Sequence, residues 1–268
     1  MRIKATFTTT CFPVNLYRHR IISLIKHVLD RTSKEVTAQW YKDKKPKPFT
    51  FSVRVIGEKE IQNASIRLDE NTVVQDKVYR IHRGYVVLII SSIDATLMLD
   101  IASGLQEIDT FNFGASSYML INDEPVILTK ERIDILPSIR FAGNMFKVRT
   151  LSPIIVEDKA DKPILFNDEN FKEELSAIMD KKLSSLREDG KGLRSKINIV
   201  PVNAEARTVK YTINGFRKKT NKPFLYKTGS YGTFIIQAHP LDMNDIYYMG
   251  LGNRTGQGFG MLDIVEGV

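Results

Sequence analysis

Apolar and polar residues alternate strictly through Phe49-Thr-Phe-Ser-Val-Arg-Val, the period of a half-buried strand. By contrast, Ile21, Leu24, Ile25, Val28 and Leu29 recur at helical spacing. They predict an amphipathic helix from about Leu16 to Leu29, whose opposite face carries Arg20, Ser23, His27 and Arg31. Upstream, the β-branched and aromatic run from Arg2 to Thr10 reads as a strand. A short helical piece around Lys34 to Tyr41 should end in Lys42-Asp-Lys-Lys-Pro-Lys-Pro, where the prolines stop it. Gly57 to Ile90 reads as hairpins, with Arg83-Gly84 as a turn. Ser92 can cap a helix carrying Ile93, Leu97, Met98 and Ile101, and Gly104 can end it. Strands then follow to about Lys130. Strand, helix, strand, strand, helix, strand is the ferredoxin-like βαββαβ order.

The order then repeats. Phe146 to Val156 reads as a strand, and Asp168 to Arg187 as a helix with Phe171, Leu175, Ile178, Met179 and Leu186 inward. Glu169, Glu173 and Glu174 lie near its positive end. Strands from Leu193 to Val202, Ala206 to Phe216 and Thr233 to Ala238 precede a short helix, Asp242 to Met249. A glycine-rich loop and a last strand close the chain. The expected fold is α+β: two tandem ferredoxin-like domains, 1–138 and 139–268, with a C-terminal glycine-rich loop. The seam lies near Pro137 to Asn144, and the duplication rests on element order, since the halves share no detectable identity.

Charge adds what periodicity does not show. The 268 residues carry a net charge of +8, yet residues 1–54 hold 12 Lys/Arg against 3 Asp/Glu, so the first fifth carries the whole excess. A second basic block, Ala206 to Leu241, has no carboxylate and contains Arg207, Lys210, Arg217, Lys218, Lys219, Lys222 and Lys227. Segregation of this kind suits a polyanionic partner. Cys11 is the sole cysteine, which excludes an internal disulfide and a thiolate metal cluster. No signal-like apolar run opens the sequence and no stretch approaches a membrane span, so a cytoplasmic protein without membrane contact is expected.

Gly250-Leu-Gly-Asn-Arg-Thr-Gly-Gln-Gly-Phe-Gly packs five glycines into eleven residues. A P-loop needs a lysine after its last glycine, and a dinucleotide fingerprint needs a following helix; neither is present. Four histidines, His19, His27, His82 and His239, show no metal-ligand spacing, so no metal or cofactor is expected. RNA carries its own nucleophile in the 2′-hydroxyl, and a protein then supplies a base, an acid and cations. His27, inside the basic segment with Arg20 and Arg31 on its face, fits a general base, because nearby cations favour its neutral form.

The glycine motif, together with Thr150-Leu-Ser-Pro-Ile and Lys47-Pro-Phe-Thr-Phe-Ser, resembles the CRISPR repeat-processing endoribonucleases, the CRISPR-associated protein 6 family of the RAMP superfamily. The resemblance spans residues 17 to 265. It implies a metal-independent endoribonuclease that binds CRISPR repeat RNA and cuts the precursor transcript within each repeat, leaving a 2′,3′-cyclic phosphate and a 5′-hydroxyl. Aligned on Lys47-Pro-Phe-Thr, the family's lysine falls on Lys47, its histidine on Tyr41 and its tyrosine on Lys26, beside His27. Which of these is the base stays open. The expected RNA contacts are Arg18, Arg20, Lys42, Lys44, Lys45, Arg217, Lys218, Lys219 and the loop residues Gly250, Gly252, Arg254, Gly256, Gly258 and Gly260. The rival reading is a non-catalytic RAMP-type RNA-binding subunit of a CRISPR effector complex. Membership of such a complex and homodimerisation both stay open.

Overall fold

A computed structural model describes residues 1–35, 46–114 and 119–265. Its elements run β1 (Arg2–Thr8), β2 (Cys11–Pro13), α1 (Arg18–Thr32), β3 (Phe49–Arg67), β4 (Val73–Ser92), α2 (Ala95–Glu107), β5 (Thr110–Asn112), β6 (Leu120–Ile121), β7 (Glu124–Pro125) and β8 (Ile127–Ile135). They continue with β9 (Met145–Thr150), α3 (Phe171–Leu186), β10 (Asn198–Tyr211), α4 (Asn214–Thr220), β11 (Leu225–Gln237), α5 (Pro240–Met249), a 3₁₀ turn (Thr255–Gln257) and β12 (Leu262–Ile264). Two sheets result. The first has β8-β1-β4-β3 at its centre and the second is β10-β11-β9-β12. In each, the first strand of a βαββαβ unit lies between the third and the fourth, which is the ferredoxin-like arrangement twice over.

Each sheet buries one face under its helices. Ile21, Leu24, Ile25, Val28 and Leu29 of α1 are all at most 1% exposed and share one core with Ile3, Ala5 and Phe7 of β1 and Val86, Leu88 and Ile90 of β4. Truncating such a residue, Leu24→Ala for example, costs about 2–5 kcal/mol. In the second half Phe171, Leu175, Met179 and Leu183 of α3 pack with Val148, Phe234 and Ile236.

Several local expectations need correction. Arg83-Gly84 is not a turn: β3 and β4 form one long hairpin in which Gly57 pairs with Gly84 in mid-strand. Asp94, not Ser92, caps α2 by accepting from the Leu97 amide, while the Ser92 hydroxyl accepts from the Asp94 amide. Gly104 lies inside α2 rather than ending it. A Cβ there would run into the Val28 carbonyl, so glycine lets α1 and α2 approach closely. The two strands expected over Leu193 to Val202 and Ala206 to Phe216 are a single strand, β10, which ends at Tyr211, and α4 follows from Asn214. The helical piece at Lys34 to Tyr41 lies mostly outside the described residues.

The sheets are tied by cations reaching across. The Arg2 guanidinium donates to the Tyr247 hydroxyl at 2.7 Å and to the Tyr247 and Leu262 carbonyls at 3.0 Å each, and it sits 3.9 Å over the Tyr247 ring. Thr50 Oγ1 donates to the Phe259 carbonyl at 2.8 Å, joining β3 to the glycine loop.

Candidate nucleic-acid interface

Between the halves lies a cleft of about 1030 Å³. Its walls are the first turns of α1 (Arg18, His19, Ile22, Ser23), Pro46-Lys47, the turn carrying Glu157, Asp158 and Asp161, one face of α3 with Lys181 and Lys182, Tyr211, and residues 252–257 of the glycine loop. The face of α1 in the cleft follows from helix geometry. At about 100° per residue, His19, Ile22, Ser23 and Lys26 share a face, while Arg20, His27 and Arg31 point about a quarter turn away.

The glycine loop is held mainly by protein. Gly250, Gly252, Gly258 and Gly260 are buried, and Gly256 is half-buried. The amides of the four buried glycines are already bonded: Gly250 to the Ile246 carbonyl at 2.8 Å, Gly252 to Met179 Sδ at 3.2 Å, Gly258 to the Thr255 carbonyl at 2.9 Å and Gly260 to the Pro153 carbonyl at 2.8 Å. Gly258 shows why a side chain is excluded, since φ is +82° and a Cβ would lie 2.5 Å from the Phe51 ring. The buried glycines therefore dock the loop on β3 and the second core instead of presenting bare amides to a ligand, which corrects their expected contact role. Lys182 secures the loop from below. Its ammonium is buried and donates to Thr255 Oγ1 at 2.7 Å and to the Gly250 and Met249 carbonyls at 3.1 and 3.3 Å. Burial pushes it down to about 7.

Three expected RNA contacts are engaged inside the protein. Arg20 is fully buried, donates to the Asn112 carbonyl at 3.2 Å and lies over Phe111 and Phe113, so it is a core cation and not part of the polar face. Arg217 is buried and bonded to Asp69 at 2.9 Å, Thr212 at 2.6 Å and the Leu68 carbonyl at 3.2 Å, a strut between the halves. Arg254 meets Glu157 at 2.7 Å and Asp161 at 3.1 Å, and Lys227 also pairs with Glu157. Those carboxylates neutralise the cation that was expected to meet phosphate. Lys218 and Lys219 are exposed on α4.

Of the catalytic candidates, Lys47 lines the cleft, with its aliphatic chain against Gly256. Burial first, then the neighbouring Lys26, lowers its pKa. Lys26 is exposed on the cleft side of α1. His27 is exposed but stands 5.7 Å from the Phe111 ring, off the cleft. Tyr41, Lys42, Lys44 and Lys45 lie outside the described residues.

Sequence reasoning named Arg18 as an RNA contact without its burial, and it gave no site role to His19, Tyr211 or Lys182. The His19, Ser23 and Lys26 spacing was available as a signal; the roles of Tyr211 and Lys182 depend on folding. Arg18 is 6% exposed, with its guanidinium 4.8 Å over Phe259 and 5.0 Å over Tyr17. Tyr211 donates to Gln257 Oε1 at 3.2 Å, and burial raises its pKa. Cations, a neutral imidazole and aromatic rings around one cleft can bind a polyanion and move protons on it. Among the described residues no group of three or more His, Cys, Asp or Glu is arranged to hold a metal ion, and no helix is long and apolar enough to cross a membrane.

Residues 135–264 match the family model described as CRISPR associated protein Cas6, C-terminal. No curated protein matches the chain. Among solved structures, one described as an RAMP protein binding different RNA substrates superposes with a TM-score of 0.72 at 20% identity, covering 99% of this chain and 100% of that one. A Cas6-related protein from Pyrococcus furiosus gives 0.69 at 21% identity over 100% and 99%. A CRISPR associated protein Cas6 gives 0.67 at 20% identity over 99% of each chain. At these identities the likeness is one of fold.

Proposed function

We propose, for a chain whose C-terminal half carries a Cas6 C-terminal domain within a fold of the Cas6 and RAMP type, that it binds CRISPR repeat RNA and cleaves the precursor transcript within each repeat. The observation that carries the reading is the cleft itself: a near-buried arginine, a histidine and Lys47 line a hollow of about 1030 Å³ together with the docked glycine loop. The RNA's own 2′-hydroxyl attacks the adjacent phosphorus. A base in the cleft takes its proton, cations stabilise the phosphorane charge, and the 5′-oxygen leaves protonated. The products are a 2′,3′-cyclic phosphate and a 5′-hydroxyl. Lys47 suits the acid step, because burial makes its ammonium a readier proton donor. Tyr41 and Lys26 enter by the family resemblance, as groups near the reacting phosphate. The nucleophile belongs to the substrate, so the chemistry asks for no metal. A cytoplasmic location belongs to the same proposal, since the transcript is made there.

The test is cleavage of repeat RNA in EDTA, beside a substrate carrying one deoxynucleotide immediately upstream of the scissile phosphate. Full activity in chelator and an intact, normally bound deoxy substrate are expected. Cutting of the deoxy substrate at that phosphate would contradict the transesterification. Tight binding without any cutting of repeat RNA would identify an RNA-binding subunit instead.

A further inference from the structure

We propose that the first turn of α1 seats the scissile phosphodiester, with Arg18 binding its non-bridging oxygens and His19 taking the proton of the attacking 2′-hydroxyl. This rests on the ribonuclease reading and assigns roles within it that the resemblance to Cas6 proteins does not supply.

Arg18 differs from the other buried arginines of the N-terminal half and its seam. Arg2 has three oxygen acceptors, Arg20 has the Asn112 carbonyl, and Arg217 has Asp69. Arg18 is as buried, and its Nε is enclosed without a hydrogen-bond partner like those of Arg2 and Arg20, but among the described residues its terminal nitrogens, unlike theirs, donate to no protein oxygen, and the guanidinium has only the Phe259 and Tyr17 rings. A largely buried cation whose donors meet no protein acceptor is suited to an anionic ligand that supplies one. Arg18 lines the cleft together with Tyr211 and residues 252–257 of the glycine loop.

His19 follows it directly. Its ring lines the same cleft, and its Nδ1 is enclosed. Burial first, then Arg20 and Arg217, pushes it down to about 3, offset in part by the Leu16 backbone, so it is neutral in the free protein. A phosphate's negative charge entering beside it moves that value back up and strengthens it as a base. The helix end adds to the anion preference. Tyr17 at the N-cap makes no side-chain cap, and the first turn holds no acidic residue, so the positive end of a 15-residue helix is left for a ligand.

In the step itself, the 2′-oxygen bonds to phosphorus while its proton passes to His19 Nε2. The bond from phosphorus to the 5′-oxygen breaks, and that oxygen leaves with a proton from the Lys47 ammonium. Proton exchange with water then restores both side chains.

The experiment uses the full chain with repeat RNA and its deoxy-substituted, uncut form. His19→Ala should lower the single-turnover rate by about 10²–10⁴-fold, leave affinity for the uncut RNA within about threefold, and regain rate on addition of imidazole. Arg18→Gln should weaken binding of the uncut RNA about tenfold or more and shrink the log–log salt slope by about 0.7, one phosphate fewer on a single strand. Arg18→Lys, which keeps the charge, should keep that slope and serves where Arg18→Gln does not fold. A wild-type rate in His19→Ala, or a loss that imidazole leaves untouched, overturns the base assignment. Unchanged affinity and slope in Arg18→Gln overturn the phosphate seat. If the wild-type protein binds repeat RNA but never cuts it, the ribonuclease reading and the base role fall together, while Arg18→Gln still decides the seat.

Discussion

Lys182 carries its charge into the second core with two carbonyls and a hydroxyl as partners and no carboxylate among them. In the unfolded chain the amine holds its proton to about 10.5, in the folded protein only to about 7. Between those values the unfolded state binds more protons, so this group makes stability rise with pH from about 7 to 10.5; below about 7 both states are charged and the penalty is constant. Urea midpoints of wild type and Lys182→Met from pH 6 to 10 should therefore diverge in favour of the wild type as pH rises. A pH-independent difference would mean the amine is not desolvated. The neighbouring histidines offer a second contrast: His27→Ala, off the cleft, should keep the single-turnover rate within about threefold. Residue types were legible in the sequence and partners were not. Nothing local in Phe216-Arg-Lys-Lys reveals that Arg217 alone of three adjacent cations turns inward, because its acceptor, Asp69, is 148 residues away.

Helices with a long apolar stripe were legible to within a few residues, as α1 and α3 show, since burial of that stripe is what forms them. Failures fell where the pattern is short or doubly readable. The seven residues of α4 cannot hold a stripe, and the Gly57 and Gly84 pair mimics a turn inside a continuous hairpin. The glycine loop was recognised as special, but its glycines serve docking first. Gly258→Ala combines a left-handed φ of +82° with a clash against Phe51, whereas Gly190 has φ +67° and nothing within 4 Å. Ala at Gly190 should cost about 1 kcal/mol from φ alone, and Ala at Gly258 about 1–3 kcal/mol more, read from urea unfolding. The Gly258 variant should also lose repeat RNA affinity, because the loop forms one wall of the cleft. Equal costs at the two sites would mean that the Phe51 contact yields freely.

Across the whole molecule, the repeated βαββαβ order and the basic first fifth of the chain were both visible before folding, while the cleft was not, since it is formed by residues as far apart as 18 and 257. Folding also changes what the charge count means. Of the cations expected to meet RNA, Arg20, Arg217 and Arg254 are engaged by protein oxygens, so the net +8 overstates the number of phosphates the surface can neutralise. Two classes of basic residue follow, and salt dependence separates them. Each phosphate neutralised on a single strand contributes about −0.7 to the slope of log K against log salt. Lys218→Gln with Lys219→Gln, both exposed on α4, should reduce the slope by up to about 1.4 if RNA crosses that helix, and leave the melting temperature near wild type. Arg217→Gln should do the reverse. Removing a buried cation from Asp69 and Thr212 lowers stability by about 1–3 kcal/mol, since Asp69 keeps access to water, and the slope per folded molecule stays as it was. A drop in slope for Arg217→Gln at full stability would place its guanidinium on the RNA and break the assignment of that residue as a strut.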